Sequence, residues 1–464
     1  MHRSLALLPL FVSLLAAPAF SLDVGFGVTD VTPKIVDGQP IWLAGLEQNR
    51  AATGVHDHLY ARAIVLRDHS SKVALVSVDS IGIPYPIVQR VRKKLSDFRY
   101  VLVAATHSHA SPDVIGIWGP APDKSGIVPS YVELLERQIV DAVRKADAAS
   151  APGSAVYGTA TDESLLGDFR LPEVYDGVLR VVRFHRVGRQ QPVGILVQWN
   201  SHGVEPRANP LITRDFMGAM VDALEKRHGC PVVYFQGAIG GLMGTPKKLV
   251  EKAKAGELPA EIFEFIDAVA EATANLADQA LAAAEPIQLE PINVFARSIT
   301  IPLDNPGFVQ AVQIGVLDRP VFQWTGDLNQ RGDAVAPRAI EGRVALETEV
   351  AYLRLGELDI AAIPGELYPE CVYGKYEDPA DPGADFPDAP LERSIAETLP
   401  SKKFLVLGLA NDEVGYIVPK RQWDVNPPYA YERTSPQYGE RNSVGPDTAQ
   451  LLLEALAQRV ADSQ

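Results

Sequence analysis

At 464 residues, with 47% hydrophobic and 22% charged side chains, the chain has the composition of a globular protein large enough to bury an extensive core. Its net charge of −15 excludes electrostatically driven partnership with nucleic acid or an anionic membrane. The two cysteines, Cys230 and Cys371, sit in no metal-clip or redox spacing, which excludes a disulfide scaffold and leaves open whether they pair.

The chain opens with a short basic start, an apolar segment from Leu5 to Pro18 and the small-residue stretch APAFS. That is the pattern of a secretory signal peptide over residues 1–21, cleaved after Ser21 and too short for a comfortable membrane span. No later run is long and apolar enough to cross a bilayer. The mature protein, 22–464, is therefore expected to be exported, secreted or periplasmic, without an integral span.

Beyond this point strands and helices mix, with no repeat and no low-complexity linker. The runs KVALVSVD, YVLVAATH, VGILVQWN, PVVYFQGA, DIAAIPGE and KFLVLGLAN read as strands. Being almost continuously apolar, they suit strands covered on both faces by helices. Apolar residues three and four apart predict helices over Pro129–Ala149, with Ser130 as its cap, Asp215–His228, Pro259–Ala284 and Asp447–Asp462. The expected class is α/β, a mixed β-sheet core flanked by helices.

The strand runs stop at polar residues: Asp79, His107, His202, Gln236, Glu366 and Asn411. Polar strand ends are ordinary, but this set includes good metal ligands, and in open α/β sheets sites form beyond the carboxyl ends of strands. In YVLVAATHSHASPD, the alternation of extended chain would place His107 and His109 on one side of the strand end. Alone, such a pair reads equally well as two solvated loop histidines. A second pair, His56 and His58 in GVHDHLY, has poorer strand context and reads as structural or substrate-facing. His107, His202 in QWNSHGVEP and Glu366 in IPGELYPE make a candidate zinc set, with room for an aromatic hydroxyl as a further ligand. The histidines favour zinc over calcium or magnesium, and such a metal acidifies bound water and polarises a carbonyl, which is hydrolytic chemistry. Asp79 is expected to orient a histidine from behind.

The segments VGFGVTDVTP, TGVHDHLYARAIVLRD, VALVSVDSIG, AATHSHASPD, WNSHG, IPGE, GLANDEVGYIVP and ERNSVGPDT, in this order and spacing, resemble the neutral/alkaline non-lysosomal ceramidase family over nearly all of the mature sequence. The resemblance implies a zinc amidase cutting the N-acyl bond of a sphingoid lipid, with one zinc ion per chain held by His107, His202, Glu366 and Tyr416. It implies that His109 donates to the developing oxyanion or moves a proton to the leaving amine. It matches Arg170 of GDFRLP to the family's active-site arginine, and it counts Tyr416 among the catalytic groups.

The sequence also departs from the family. It ends in the helix DTAQLLLEALAQRVADSQ, so a single catalytic domain over 22–464 is expected, without the family's C-terminal β-sandwich. Gly241 stands where an aspartate is expected, Asp412 and Glu413 stand where the family often has an extra tyrosine, and a Pro- and Asp-rich insert after Glu366 reads as a solvated loop. The expectation is an exported zinc-dependent hydrolase acting on a small amphiphilic or N-acyl substrate. A zinc esterase or other amide hydrolase on a non-sphingolipid substrate, and a non-catalytic lipid- or metal-binding protein of the envelope, remain open, as does the oligomeric state.

Overall fold

Aliphatic and β-branched runs build two sheets that pack face to face, and helices cover their outer faces. The computed structural model describes residues 22–464 apart from 190, 205–208, 245 and 258–260, so the signal peptide expected over 1–21 lies outside the described residues. The first sheet has nine strands. Its main path runs Val232–Gln236, Pro192–Trp199, Val178–Arg186, Ala151–Thr161, Leu22–Asp30, Tyr60–Arg67, Lys72–Val78 and Tyr100–Ala105. Along this path the outermost pair at each end is parallel, and the pairs between them are antiparallel. The second sheet has six strands and is built around the long antiparallel pair of Ile292–Leu303 and Val344–Leu355, continued by Leu358–Ala362 and Phe404–Leu407. The expected α/β class with mixed sheets and flanking helices is what the chain adopts.

One face of the nine-stranded sheet, with Val65, Val76 and Val103, buries against Leu135, Ile139 and Val143 of the Pro129–Ala148 helix. Further along, Val181, Val197 and Tyr234 meet Phe216 and Met220 of the Asp215–His228 helix and Ile266 of the Ile262–Ala282 helix. The opposite face, with Ile64, Leu75, Leu102 and Phe235, packs against Leu353, Ile360 and Leu405 of the second sheet. That sheet's outer face carries Tyr352 and Val406 onto Leu452 and Leu456 of the Thr448–Ala461 helix. The continuous apolar runs thus report burial on two faces, but on one of them the cover is a sheet, not helices. Both covers are apolar, so the pattern in sequence is the same for either.

One smaller expectation is corrected. Ser130 lies inside the first turn of its helix; Val128 is the cap residue, without a side-chain cap bond, and Pro129 opens the helix at a position where its missing N–H costs nothing. The insert after Glu366 is largely exposed, as expected of a solvated loop, and is anchored at a few points: the Asp385 amide donates to the Trp423 carbonyl at 2.8 Å and Asp378 pairs with Arg421 at 2.6 Å. Cys230 and Cys371 are both buried and unpaired. Among the described residues no helix is long and apolar enough to cross a membrane.

The feature that positions the site is the meeting of the two ends of the nine-stranded sheet. Gln236, at the end of one edge strand, donates through Nε2 to the carbonyls of Thr106 and Ser201, both at 2.8 Å. The chain leaving Phe404–Leu407 threads beside this junction: Gly408 donates to the Gln236 carbonyl at 3.0 Å and Asn411 to that of Val103 at 2.7 Å. Strand ends remote in sequence and in sheet order therefore share one small space.

Candidate metal centre

The Tyr100–Ala105 strand ends before its histidines. His107 adopts φ 67°, a left-handed conformation that a non-glycine side chain resists, and its amide is held by the Ser80 carbonyl at 2.9 Å. Strand alternation therefore does not aim the two rings; this kink does, and the His107 and His109 ring centroids lie 4.7 Å apart. His107 donates from Nδ1 to the Ile81 carbonyl at 2.7 Å, which leaves its Nε2 facing Glu366 Oε2 at 3.3 Å. His202 follows the Pro192–Trp199 strand and places Nε2 2.8 Å from the same carboxylate oxygen. Glu366 and Tyr416 are brought side by side by a two-residue parallel ribbon in which they are register partners. The Tyr416 hydroxyl lies 3.2 Å from His202 Nε2.

His107, His202, Glu366 and Tyr416 are buried and His109 is half-buried, and burial shapes their charges. Desolvation alone would raise the Glu366 carboxyl, but the His107 and His202 imidazoles hold it below the usual glutamate range. Burial, followed by the neighbouring His107 and His202, pushes His109 well below an ordinary histidine, and burial likewise lowers His202. Burial and the Glu366 charge push the Tyr416 phenol well up.

The donor chemistry suits a cation. A neutral imidazole that donates from Nδ1 presents only a lone pair at Nε2, and a lone pair facing a carboxylate is favourable only with positive charge between them. A ring nitrogen from each of His107, His109 and His202 lies within 4.8 Å of the others, and one donor from each of His107, Glu366 and Glu413 does the same. Three clustered imidazoles cannot all be protonated without mutual repulsion, whereas a single cation would satisfy nitrogen and carboxylate donors together. His109 Nε2 and His202 Nδ1 are buried without a partner, as expected of a site organised for something other than its own hydrogen bonds.

A cavity of about 100 Å³ opens beside the cluster, lined by His107, His109, Glu366 and Tyr416 and walled by apolar groups including Ile117, Trp118 and Phe308. Gly45, at φ 93°, admits His109 to this wall: a Cβ there would stand 2.6 Å from His109 Cγ. Arg170 does not line the cavity. Its guanidinium is buried against Glu440 at 2.6 Å and lies over the Tyr368 ring, which meets Tyr416 edge-on at 6.2 Å. Asp79 orients no histidine, contrary to expectation: its carboxylate accepts from the Tyr60 amide and Thr106 hydroxyl. His56 stacks on Phe263 and His58 pairs with Asp30. Gly241, at φ 81°, leaves little room for a side chain: Asp168 Oδ1 lies 2.9 Å from where its Cβ would stand.

Glu413 is the group that the sequence did not single out. It lines the cavity and its carboxyl is pushed well up by burial and by Glu366. The available signal was a carboxylate inside a motif where a tyrosine was expected.

Residues 22–164 match the family described as neutral/alkaline non-lysosomal ceramidase, N-terminal. The chain is similar to the crystal structure of neutral ceramidase from Pseudomonas aeruginosa, with a TM-score of 0.70 and 15% identity over 96% of this chain and 74% of that one. A ceramidase complexed with C2 is similar at a TM-score of 0.69 and 14% identity, covering 96% of this chain and 75% of the other. No curated protein matches in sequence. The resemblance read from the motifs is borne out, by the family match over that N-terminal stretch and by the fold over almost the whole chain.

Proposed function

We propose that this chain is an exported zinc-dependent hydrolase that cleaves an N-acyl amide bond in a ceramide-like substrate, with 22–464 acting as one catalytic domain. The observation that carries the reading is the convergence of His107 Nε2 and His202 Nε2 on one oxygen of Glu366, at 3.3 and 2.8 Å, with the Tyr416 hydroxyl alongside. These four residues would hold one zinc ion per chain, which when bound acidifies a water and polarises the substrate carbonyl. The ribbon pairing and the Ile81 carbonyl preset the donors, so little reorganisation is needed on binding.

His109 faces the cavity with Nε2 free of protein partners. It is the group assigned to hydrogen-bond the oxyanion and to carry a proton to the leaving amine. Arg170 acts at one remove, fixing Tyr368 behind Tyr416 as a positioning residue. The apolar wall receives the acyl side of the substrate and keeps water from the scissile bond. At about 100 Å³ the cavity is smaller than the roughly 300–1,000 Å³ of common small-molecule sites, which favours short acyl groups. The apolar Leu5–Pro18 segment supports export.

The test is hydrolysis of a fluorescent short-chain ceramide by purified protein, with and without chelator, then with zinc restored. Cleavage that is lost to chelator and recovered by zinc is the expected result. Stoichiometric zinc without cleavage would remove ceramide as the substrate, and absence of both would overturn the metal centre.

A further inference from the structure

We infer that Glu413 is an additional direct donor to the same cation, so that the centre carries two carboxylates instead of one. The inference rests on the zinc reading above and concerns a residue that the family resemblance does not assign. One Glu413 carboxylate oxygen is held by the Gly415 amide at 2.7 Å, which fixes the group; the other, Oε2, is buried and has no partner. The wall opposite is cut to receive the side chain, since a Cβ on Gly82 would stand 2.7 Å from Glu413 Cβ and 2.8 Å from its Cγ.

A Glu413 donor oxygen lies within 4.8 Å of donors from both His107 and Glu366. Two carboxylates so close are both ionised only when a cation sits between them; without one, a proton must be held on one of the two. Among the described residues no guanidinium is hydrogen-bonded to this carboxylate: Arg319 spends both terminal nitrogens on Asp412, each at 2.8 Å, and bonds Glu413 at its backbone carbonyl. His107 belongs to both groupings of metal donors, with His109 and His202 in one and with Glu366 and Glu413 in the other. Its Nδ1 is committed to the Ile81 carbonyl, so it has one lone pair to give. One lone pair serves one ion. The two groupings are therefore a single centre rather than two adjacent sites.

The consequence is a harder, more oxygen-rich donor set that binds zinc tightly and admits a metal such as manganese more readily than an imidazole-dominated set. The test uses the full mature chain, stripped and titrated with zinc against a chromophoric chelator, and in parallel loaded with cobalt(II) to record its visible spectrum. Glu413→Gln should weaken zinc binding about tenfold or more, at least the loss seen when a ligand's supporting group is removed, and should alter the cobalt bands. Gly82→Ala, which displaces the side chain without removing it, should weaken binding in the same direction. Wild-type zinc affinity with an unchanged cobalt spectrum in Glu413→Gln overturns the inference and leaves Glu413 a wall residue. Glu366→Gln serves as the control: if it too keeps wild-type affinity, the zinc reading itself fails and this inference fails with it.

Discussion

An imidazole that already donates from one nitrogen can offer only one lone pair, and at His107 that lone pair meets a carboxylate 3.3 Å away. His107→Ala removes the donor and the ring shared by the two groupings of metal donors. Zinc content measured by elemental analysis should fall to background and amide hydrolysis should vanish; a metal-loaded, active variant would defeat the assignment. Gly45→Ala separates the metal from proton transfer. Glycine is needed there twice over, because φ is 93° and because a Cβ would collide with His109 at 2.6 Å. The variant should keep its zinc while kcat falls about a hundredfold, the lower end of what a positioned acid–base group contributes. Loss of zinc together with kcat would instead place His109 among the donors, and an unchanged kcat would remove it from the chemistry.

Behind the centre, the short Glu370–Tyr373 helix presents Glu370 to the buried Arg170–Glu440 pair. Glu370 accepts from Gln422 through one oxygen at 3.1 Å, and its other oxygen has no partner. Burial pushes its carboxyl from 4.5 up to about 7; Arg170 opposes the shift and Asp168 reinforces it. Below the unfolded value both states hold the proton and the group is neutral in its effect. Between that value and about 7 the unfolded chain ionises while the folded one does not, so stability falls as pH rises. Above this window the cost levels off at about 3 kcal/mol. Glu370→Gln should therefore match wild type near pH 4 and exceed its urea stability at pH 8; a gain of equal size at both would show that the proton is not involved. Single elements such as the Asp215–His228 helix were legible because three-and-four spacing and a following glycine act locally. The roles of Glu370, Gln236 and Glu413 were not, because each matters through a partner more than a hundred residues away or through a cavity wall that only the packed sheets create.

At the scale of the whole molecule, the sequence showed which strands end in ligands but not that those ends meet, since strand order leaves no local trace. His107 and His202 leave strands near opposite ends of the nine-stranded sheet, while Glu366 and Tyr416 come from chain that follows strands of the second. A cation bound by all four is therefore a cross-link between the closing edges of one sheet and the adjoining part of the other, and it exists only in the folded state. Binding confined to the folded state stabilises by about 4 kcal/mol when the ion is about a thousandfold above its dissociation constant. With roughly 2 cal/mol/K of unfolding entropy per residue, a chain of this length should gain on the order of 4 °C in Tm. Scanning calorimetry of the zinc-loaded protein should show that loss on adding chelator and its recovery with zinc, and His107→Ala should show neither. The size of the shift also bears on the donors. A cation held at one sheet edge alone would steady that edge and leave the second sheet to melt where it did before. A cation held by all four groups should move the unfolding of both sheets together, as one transition. Two transitions, of which only one responds to zinc, would confine the metal to a single sheet and rule out the four-residue centre.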